Sequence, residues 1–256
     1  MKVVTDVRQL PSGCAFVPTM GALHAGHASL MSIAKEHSEN VVVSIFVNPL
    51  QFESAEDLAK YPRTPDADIE LAAAHGVTHV WLPPHADIYP KDHPVLTAGL
   101  ISNLYEGKSR PGHFDGVVTV VRRFFDLLKP SAAIFGEKDF QQLKLVEEIA
   151  AEVKIIRAPI IRETDGLAMS SRNIRLTPEG RAAATVISRA LFTSENENEL
   201  RAALASQPLF TLDYADIVDE DSFLPVTMDT THARAIVAGW INGVRLIDNM
   251  QMVQRS

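Results

Sequence analysis

Residues 14–27 read Cys14-Ala15-Phe16-Val17-Pro18-Thr19-Met20-Gly21-Ala22-Leu23-His24-Ala25-Gly26-His27. An apolar run enters this stretch. An amphipathic run leaves it, with Leu30, Ile33, Ala34 and His37 at helical spacing after His27. A strand (residues 14–17), a turn of small residues and a helix (27–37) form half of a parallel α/β repeat. The rest of the first part repeats that rhythm. Residues 41–47 are almost continuously apolar, the pattern of a strand buried on both faces. Helix is expected at 69–74, strand at 77–82, and a polar, proline-rich segment from 83 to about 94. Asp115 is placed to cap a helix bearing Val117, Val118, Val121, Phe124, Phe125 and Leu128. Strand follows at 132–135, then a helix with Leu143, Val146 and Ile149 that Asp139 could cap, and strand at 155–161. The alternation predicts an α/β, Rossmann-like parallel sheet with helices on both faces. Its ligands belong beyond the C-terminal ends of the strands, near the point where strand order reverses.

The rhythm changes near residues 158–165. Thr177-Pro178 marks a helix start, residues 193–199 form a polar break, and 212–218 and 233–240 read as strands. Asn242-Gly243 between Ile241 and Val244 is a type I′ hairpin signal, so antiparallel pairing is expected. The expected organisation is a Rossmann-like domain over residues 1–160 and a small C-terminal α+β domain over 161–256.

Bulk properties narrow the function. The 256 residues are 46% apolar, 22% charged and carry a formal net charge of −8. An acidic chain is a poor general nucleic-acid binder, because phosphate backbones demand clustered Lys and Arg. A local anion site is still compatible with it. No run reaches the roughly 20 apolar residues of a membrane helix. Met1-Lys2-Val3-Val4-Thr5-Asp6 lacks the apolar run of a signal peptide. The single cysteine, Cys14, sits in an apolar run and reads as a small buried hydrophobe. A cytoplasmic enzyme is the expectation.

Three segments carry chemistry. In the first, the outgoing helix turns unpaired N–H groups and a positive dipole end toward an anion. Gly26 admits a nucleotide where a Cβ would collide, and the imidazoles of His24 and His27 can donate to phosphate oxygens as charge develops. A metal pair is the poorer reading, since no Cys or Asp nearby adds ligands. In the second, Gly136-Glu137-Lys138-Asp139 follows a strand. Lys138 there is a compact cation for phosphates, and Gln142 lies one helical turn on. In the third, Met169-Ser170-Ser171-Arg172 supplies hydroxyls and a guanidinium suited to phosphate oxygens.

The first segment resembles the His-x-Gly-His signature of nucleotidyltransferases and class I aminoacyl-tRNA synthetases. The third resembles the cationic Lys-Met-Ser-Lys-Ser-type loop of that superfamily. Further stretches narrow it: Val47-Asn48-Pro49-Leu50-Gln51-Phe52, Tyr61-Pro62-Arg63-Thr64, Gly107-Lys108-Ser109-Arg110-Pro111-Gly112-His113-Phe114 and Arg245-Leu246-Ile247-Asp248-Asn249. With residues 18–21 and 136–142 they resemble the pantothenate synthetase family over nearly the whole chain.

That resemblance implies condensation of pantoate with β-alanine, using ATP and releasing AMP and pyrophosphate through a pantoyl adenylate. It implies ATP contacts at Met20, Gly21, Ala22, Leu23, His24, Ala25, Gly26 and His27, at Gly136, Glu137, Lys138 and Asp139, at Ile161, and at Met169, Ser170, Ser171 and Arg172. Gln51 and Gln142 would bind pantoate, and Gln51 would also face β-alanine. His27 takes the family's catalytic position, read here as a transition-state hydrogen-bond donor, with His24 and Lys138 beside it in the chemistry. Mg²⁺ and a homodimer are implied too. Asp66 and Asp68 could reach Mg²⁺, but the sequence assigns no protein ligand. The acidic run at residues 53–57 reads as a solvated helix start, and the segment from 192 to 210 is short for the family. Two other readings stay open: a stand-alone nucleotidyltransferase sharing the histidine site, and a nucleotide-binding regulatory module on the same fold.

Overall fold

The computed structural model describes residues 1–52 and 54–252. Among these, six strands form one parallel sheet: β1 (Lys2–Val4), β2 (Ala15–Thr19), β3 (Val41–Ile45), β4 (His79–Trp81), β5 (Ala132–Gly136) and β6 (Lys154–Ala158). Their order across the sheet is β1-β4-β3-β2-β5-β6. The chain runs outward from β2 through β3 to β4, then returns to lay β5 on the other side of β2. Strand order therefore reverses between β2 and β5, which is where such sheets hold ligands. The edge strand β1 has no counterpart in the sequence expectations. It is three residues long with only Val4 buried, so it lacks an apolar signature. The last strand of the sheet stops at Ala158 rather than running to 161, since Pro159 has no N–H to continue the ladder.

Alternation along β2 sends its side chains to two faces. Ala15 and Val17 pack with Met31 and Ala34 of the helix Ala25–His37. Phe16 meets Phe124 of the helix His113–Leu128 edge to face, ring centroids 5.6 Å apart. Trp81 and Phe46 join Phe124 at 5.4 and 6.1 Å. Each such buried ring contributes about 1.5–3 kcal/mol by transfer from water. The helix His113–Leu128 is not capped by Asp115. It starts one turn earlier, after Gly112 at φ 78, while Asp115 accepts the Ala98 N–H at 2.9 Å and tethers the preceding loop. A short helix, His85–Ile88, interrupts the proline-rich segment. Glu53 of the acidic run lies outside the described residues, as does the Asp57 side chain. Glu56 is exposed and pairs with Lys60 at 2.6 Å along the helix Ala55–Lys60.

The chain divides into two compact units. The first comprises Met1–Glu137 and Gln141–Pro159, the second Lys138–Phe140 and everything from Ile160 onward. The second unit packs the helices Pro178–Ala183, Thr185–Thr193 and Glu197–Ala205 with an antiparallel sheet of β7 (Thr211–Asp219), β8 (Ala233–Ile241) and β9 (Val244–Met252). Thr177 Oγ1 accepts the Gly180 N–H at 3.1 Å with Pro178 in the first turn, the start read from the sequence. Asn242 and Gly243 take φ 50 and 73, the left-handed pair a type I′ turn requires. Ile187, Leu191, Leu200, Leu204, Val237 and Ile241 form the centre of that unit's own core. Among the described residues no helix is long and apolar enough to cross a membrane.

Candidate active site

The turn after β2 carries Met20 to His27. His24 is the N-cap of its helix, and its Nδ1 accepts the Gly26 N–H at 3.1 Å. Reciprocally, His27 Nδ1 accepts the His24 N–H at 3.3 Å. The rings lie 4.2 Å apart, tilted by 51°. A ring nitrogen that accepts a backbone N–H carries no proton, so the neutral rings hold theirs on Nε2. Both histidines are thereby set as Nε2–H donors. The expectation of unpaired amides at this helix start is corrected for residues 26–28. Gly26 N–H goes to the His24 ring, and the amides of His27 and Ala28 both go to the His24 carbonyl, at 2.8 and 3.0 Å. The rings and the dipole, rather than those amides, are what this helix start offers an anion.

Asp68 holds the turn from below. It is 2% exposed, and its carboxylate accepts from Ala22 N–H at 3.0 Å, Leu23 N–H at 2.8 Å and Thr64 Oγ1 at 3.0 Å. Gly21 stands over it at φ 84, where an added Cβ would come within 2.9 Å of Asp68 Oδ2. Asp68, weighed above as a metal contact, instead spends its oxygens on the loop. Asp66 is exposed on the first turn of the helix Pro65–Ala74. Among the described residues, no group of three His, Cys, Asp or Glu could hold a metal ion.

Gln51 ends a single 3-10 turn, Pro49–Gln51, behind β3. Its Oε1 accepts from Asn48 Nδ2 at 3.0 Å, which sets the amide's orientation with the NH₂ on the side away from Asn48. Asn48 cannot be reversed. Its Nδ2 also donates to the Gly116 carbonyl at 3.0 Å, while its Oδ1 accepts from Leu50 N–H and from the Tyr89 hydroxyl, the latter at 2.6 Å. Burial raises the Tyr89 hydroxyl far above its usual range, which keeps it a donor. His113 Nδ1 and Arg110 hold the Gln51 carbonyl at 2.8 and 3.4 Å. The helix His113–Leu128 reaches this turn only because residue 116 is glycine, since a Cβ there would lie 2.6 Å from the Leu50 carbonyl.

The helix Phe140–Ile149 opens with two glutamines that differ in use. Gln141 is buried. Its Oε1 accepts Glu106 N–H at 3.0 Å, and its Nε2 donates to the carbonyls of Ile101 and Leu104 at 2.7 and 2.9 Å. Gln142 is half-buried and has no part in that network. Gly136 ends β5, next to β2, and Glu137 to Asp139 follow as a 3-10 turn.

In the second unit, residues 160–168 double back: Arg162 bridges to Ala168, and Met169 N–H donates to the Ile161 carbonyl at 2.9 Å. Ser170 Oγ then accepts the Arg172 N–H at 3.2 Å, folding residues 169–172 into a turn. Arg162 braces the hairpin, reaching Gly166 O at 3.0 Å and Asp248 at 2.6 and 2.9 Å. Asn48, Arg162, Asp248 and Asn249 were given no role by the sequence, and Asp68 was weighed only as a metal contact. Asn48, Asp248 and Asn249 stood inside quoted stretches, but their partners are distant in the chain.

A family description, pantoate-beta-alanine ligase, matches residues 1–251. The chain belongs to the pantoate–β-alanine ligase family. It is similar to pantothenate synthetase of Acidothermus cellulolyticus, 49% identical over 258 residues that cover 93% of this chain and 85% of that protein. The enzyme of that name from Bdellovibrio bacteriovorus is 43% identical over 242 residues, 93% of this chain and 91% of its own. The crystal structure of pantothenate synthetase from Thermus thermophilus matches with a TM-score of 0.92 at 41% identity, covering 98% of this chain and 99% of that one. Pantoate–β-alanine ligase from Francisella tularensis, crystallised with β-γ ATP and β-alanine, matches with a TM-score of 0.81 at 34% identity over 98% and 97% of the two chains.

This chain is thus a pantoate–β-alanine ligase, an enzyme that makes an amide from a hydroxy acid and an amino acid.

Proposed function

We propose that this ligase activates pantoate with ATP as an acyl adenylate and then transfers the acyl group to β-alanine. In the first step a pantoate carboxylate oxygen attacks the α-phosphorus, the bond to the β-phosphate oxygen breaks, and pyrophosphate leaves. In the second, the neutral amine of β-alanine attacks the acyl carbon, AMP leaves with the bonding pair, and the amine proton passes to solvent. The orientation of His24 and His27 carries this reading. Two Nε2–H donors locked by reciprocal capping are preorganised for charge that grows on phosphate oxygens. His27 acts as a hydrogen-bond donor in that step, with His24 beside it.

The residues read as ATP contacts are Met20, Gly21, Ala22, Leu23, His24, Ala25, Gly26, His27, Gly136, Glu137, Lys138, Asp139, Ile161, Met169, Ser170, Ser171 and Arg172. Gln51 and Gln142 bind pantoate, and Gln51 also faces β-alanine. Holding the carboxylate in line with the α-phosphate lowers the barrier by up to about 7–11 kcal/mol. Mg²⁺ would come bound to the triphosphate, its usual carrier, and would offset phosphate charge there. The ATP and β-alanine in the Francisella structure support the choice of substrates. The family resemblance adds a cytoplasmic homodimer.

The test uses the purified chain with ATP, Mg²⁺ and pantoate, followed by β-alanine. Pantoate-dependent exchange of labelled pyrophosphate into ATP is expected without β-alanine, and AMP release is expected once it is added. AMP release with no pantoate-dependent exchange would point to a concerted route and sink the adenylate.

A further inference from the structure

The stretch Arg245-Leu246-Ile247-Asp248-Asn249 lies on β9, and the ligase reaction as set out above leaves it unused. Yet it holds some of the most buried polar side chains of the second unit: Asp248 and Asn249 are each 3% exposed and Arg234, beside them, 4%. Buried polar groups are costly unless each is satisfied, and a satisfied network locks its members in place. Asn249 Oδ1 accepts from Arg234 NH1 at 2.6 Å, and its Nδ2 donates to the backbone carbonyl of Lys138 at 2.9 Å. A guanidinium can only donate and a carbonyl can only accept, so the amide has one possible orientation. Arg234 also pairs with Glu220 at 2.8 Å and lies 4.0 Å over the ring of Phe140. Residues 138–140 are consequently held from two directions, carbonyl and ring. Residues 138–140 belong to the second unit, while β5 and the rest of their helix belong to the first.

We propose that Asn249 is a positioning residue for Lys138, fixing the backbone from which that ammonium reaches the nucleotide phosphates. The inference rests on Lys138 being the cation at the phosphates, as read above. Asn249 touches no substrate. It acts through the peptide of Lys138, so its contribution disappears when the lysine is absent.

The experiment is a double-mutant cycle on the full chain, read by pantoate-dependent ATP–pyrophosphate exchange. Asn249→Asp keeps an acceptor for Arg234 but turns an oxygen toward the Lys138 carbonyl. Exchange is expected to fall about tenfold, the worth of one hydrogen bond. Lys138→Ala should lose about a hundredfold. The double variant should lie within about twofold of Lys138→Ala alone, the margin of ordinary additivity. Asn249→Ser shortens the side chain out of reach without adding charge. Run in parallel with melting curves, it keeps the cycle measurable if either variant folds poorly. Losses that multiply would overturn the inference and leave Asn249 a structural residue, as would full exchange in both Asn249 variants. Near-normal exchange by Lys138→Ala would overturn the reading of Lys138, and the inference with it.

Discussion

His27 is fixed by what its Nδ1 does. Because Nδ1 accepts the His24 amide, the neutral ring carries its proton on Nε2 as a donor. If donation is its role, an amide can replace it in part. His27→Gln should keep measurable pyrophosphate exchange, while His27→Ala should lose about a hundredfold or more. Equal losses would argue for proton transfer instead. Cys14 is the opposite kind of residue, fully buried just before β2 with nothing to do but fill space. Burial pushes its thiol from the usual 9.0 up to about 12. It should resist alkylation at about pH 8 in the native protein and react at once in denaturant. The sign for stability follows. The unfolded chain sheds this proton near pH 9.0 while the folded chain keeps it, so the contribution is complete below pH 9.0 and lost as pH climbs through about 12. A native thiol that labels rapidly at neutral pH would contradict the packing.

At the scale of elements, two helices place the site by what they bring to a turn. The helix Pro65–Ala74 brings Asp68 under the loop of residues 21–23. Both oxygens must accept there, and an amide offers only one acceptor end. Asp68→Asn should therefore cost about 1–3 kcal/mol in thermal or denaturant unfolding, the penalty of a buried unsatisfied donor. It should also raise the KM for ATP, because the histidine cap rides on that loop. An unchanged KM would confine Asp68 to the fold. The helix His113–Leu128 brings Gly116 against the Leu50 carbonyl. Gly116→Ala should push the Pro49–Gln51 turn outward and destabilise by about 1–3 kcal/mol. Its kinetic signature would be a higher KM for pantoate and β-alanine with the KM for ATP little changed. Equal effects on all three substrates would mean general loosening. The helix start itself was misplaced by one turn in the sequence reading, since Asp115 has the chemistry of a cap but Gly112 has the conformation the entry into the helix needs.

For the whole molecule, the homodimer carries its own test. Sedimentation velocity should give twice the 28.1 kDa chain mass, and a monomer at assay concentration would end that proposal. What the sequence by itself determined was of two kinds. Local periodicity is written in neighbouring residues, so the βα alternation, the Thr177 cap and the Asn242-Gly243 turn were legible before any coordinates. So was the family, because its ordered stretches span the chain. Tertiary structure alone decided the sheet order that sets β2 beside β5. It also decided that Asp68 serves the loop 46 residues before it, and that Asn249 holds a carbonyl 111 residues away. Pattern in a strand or helix reports which face is buried. It carries no record of which distant donor meets which acceptor, because that is settled only when the packed chain must satisfy every polar group it buries.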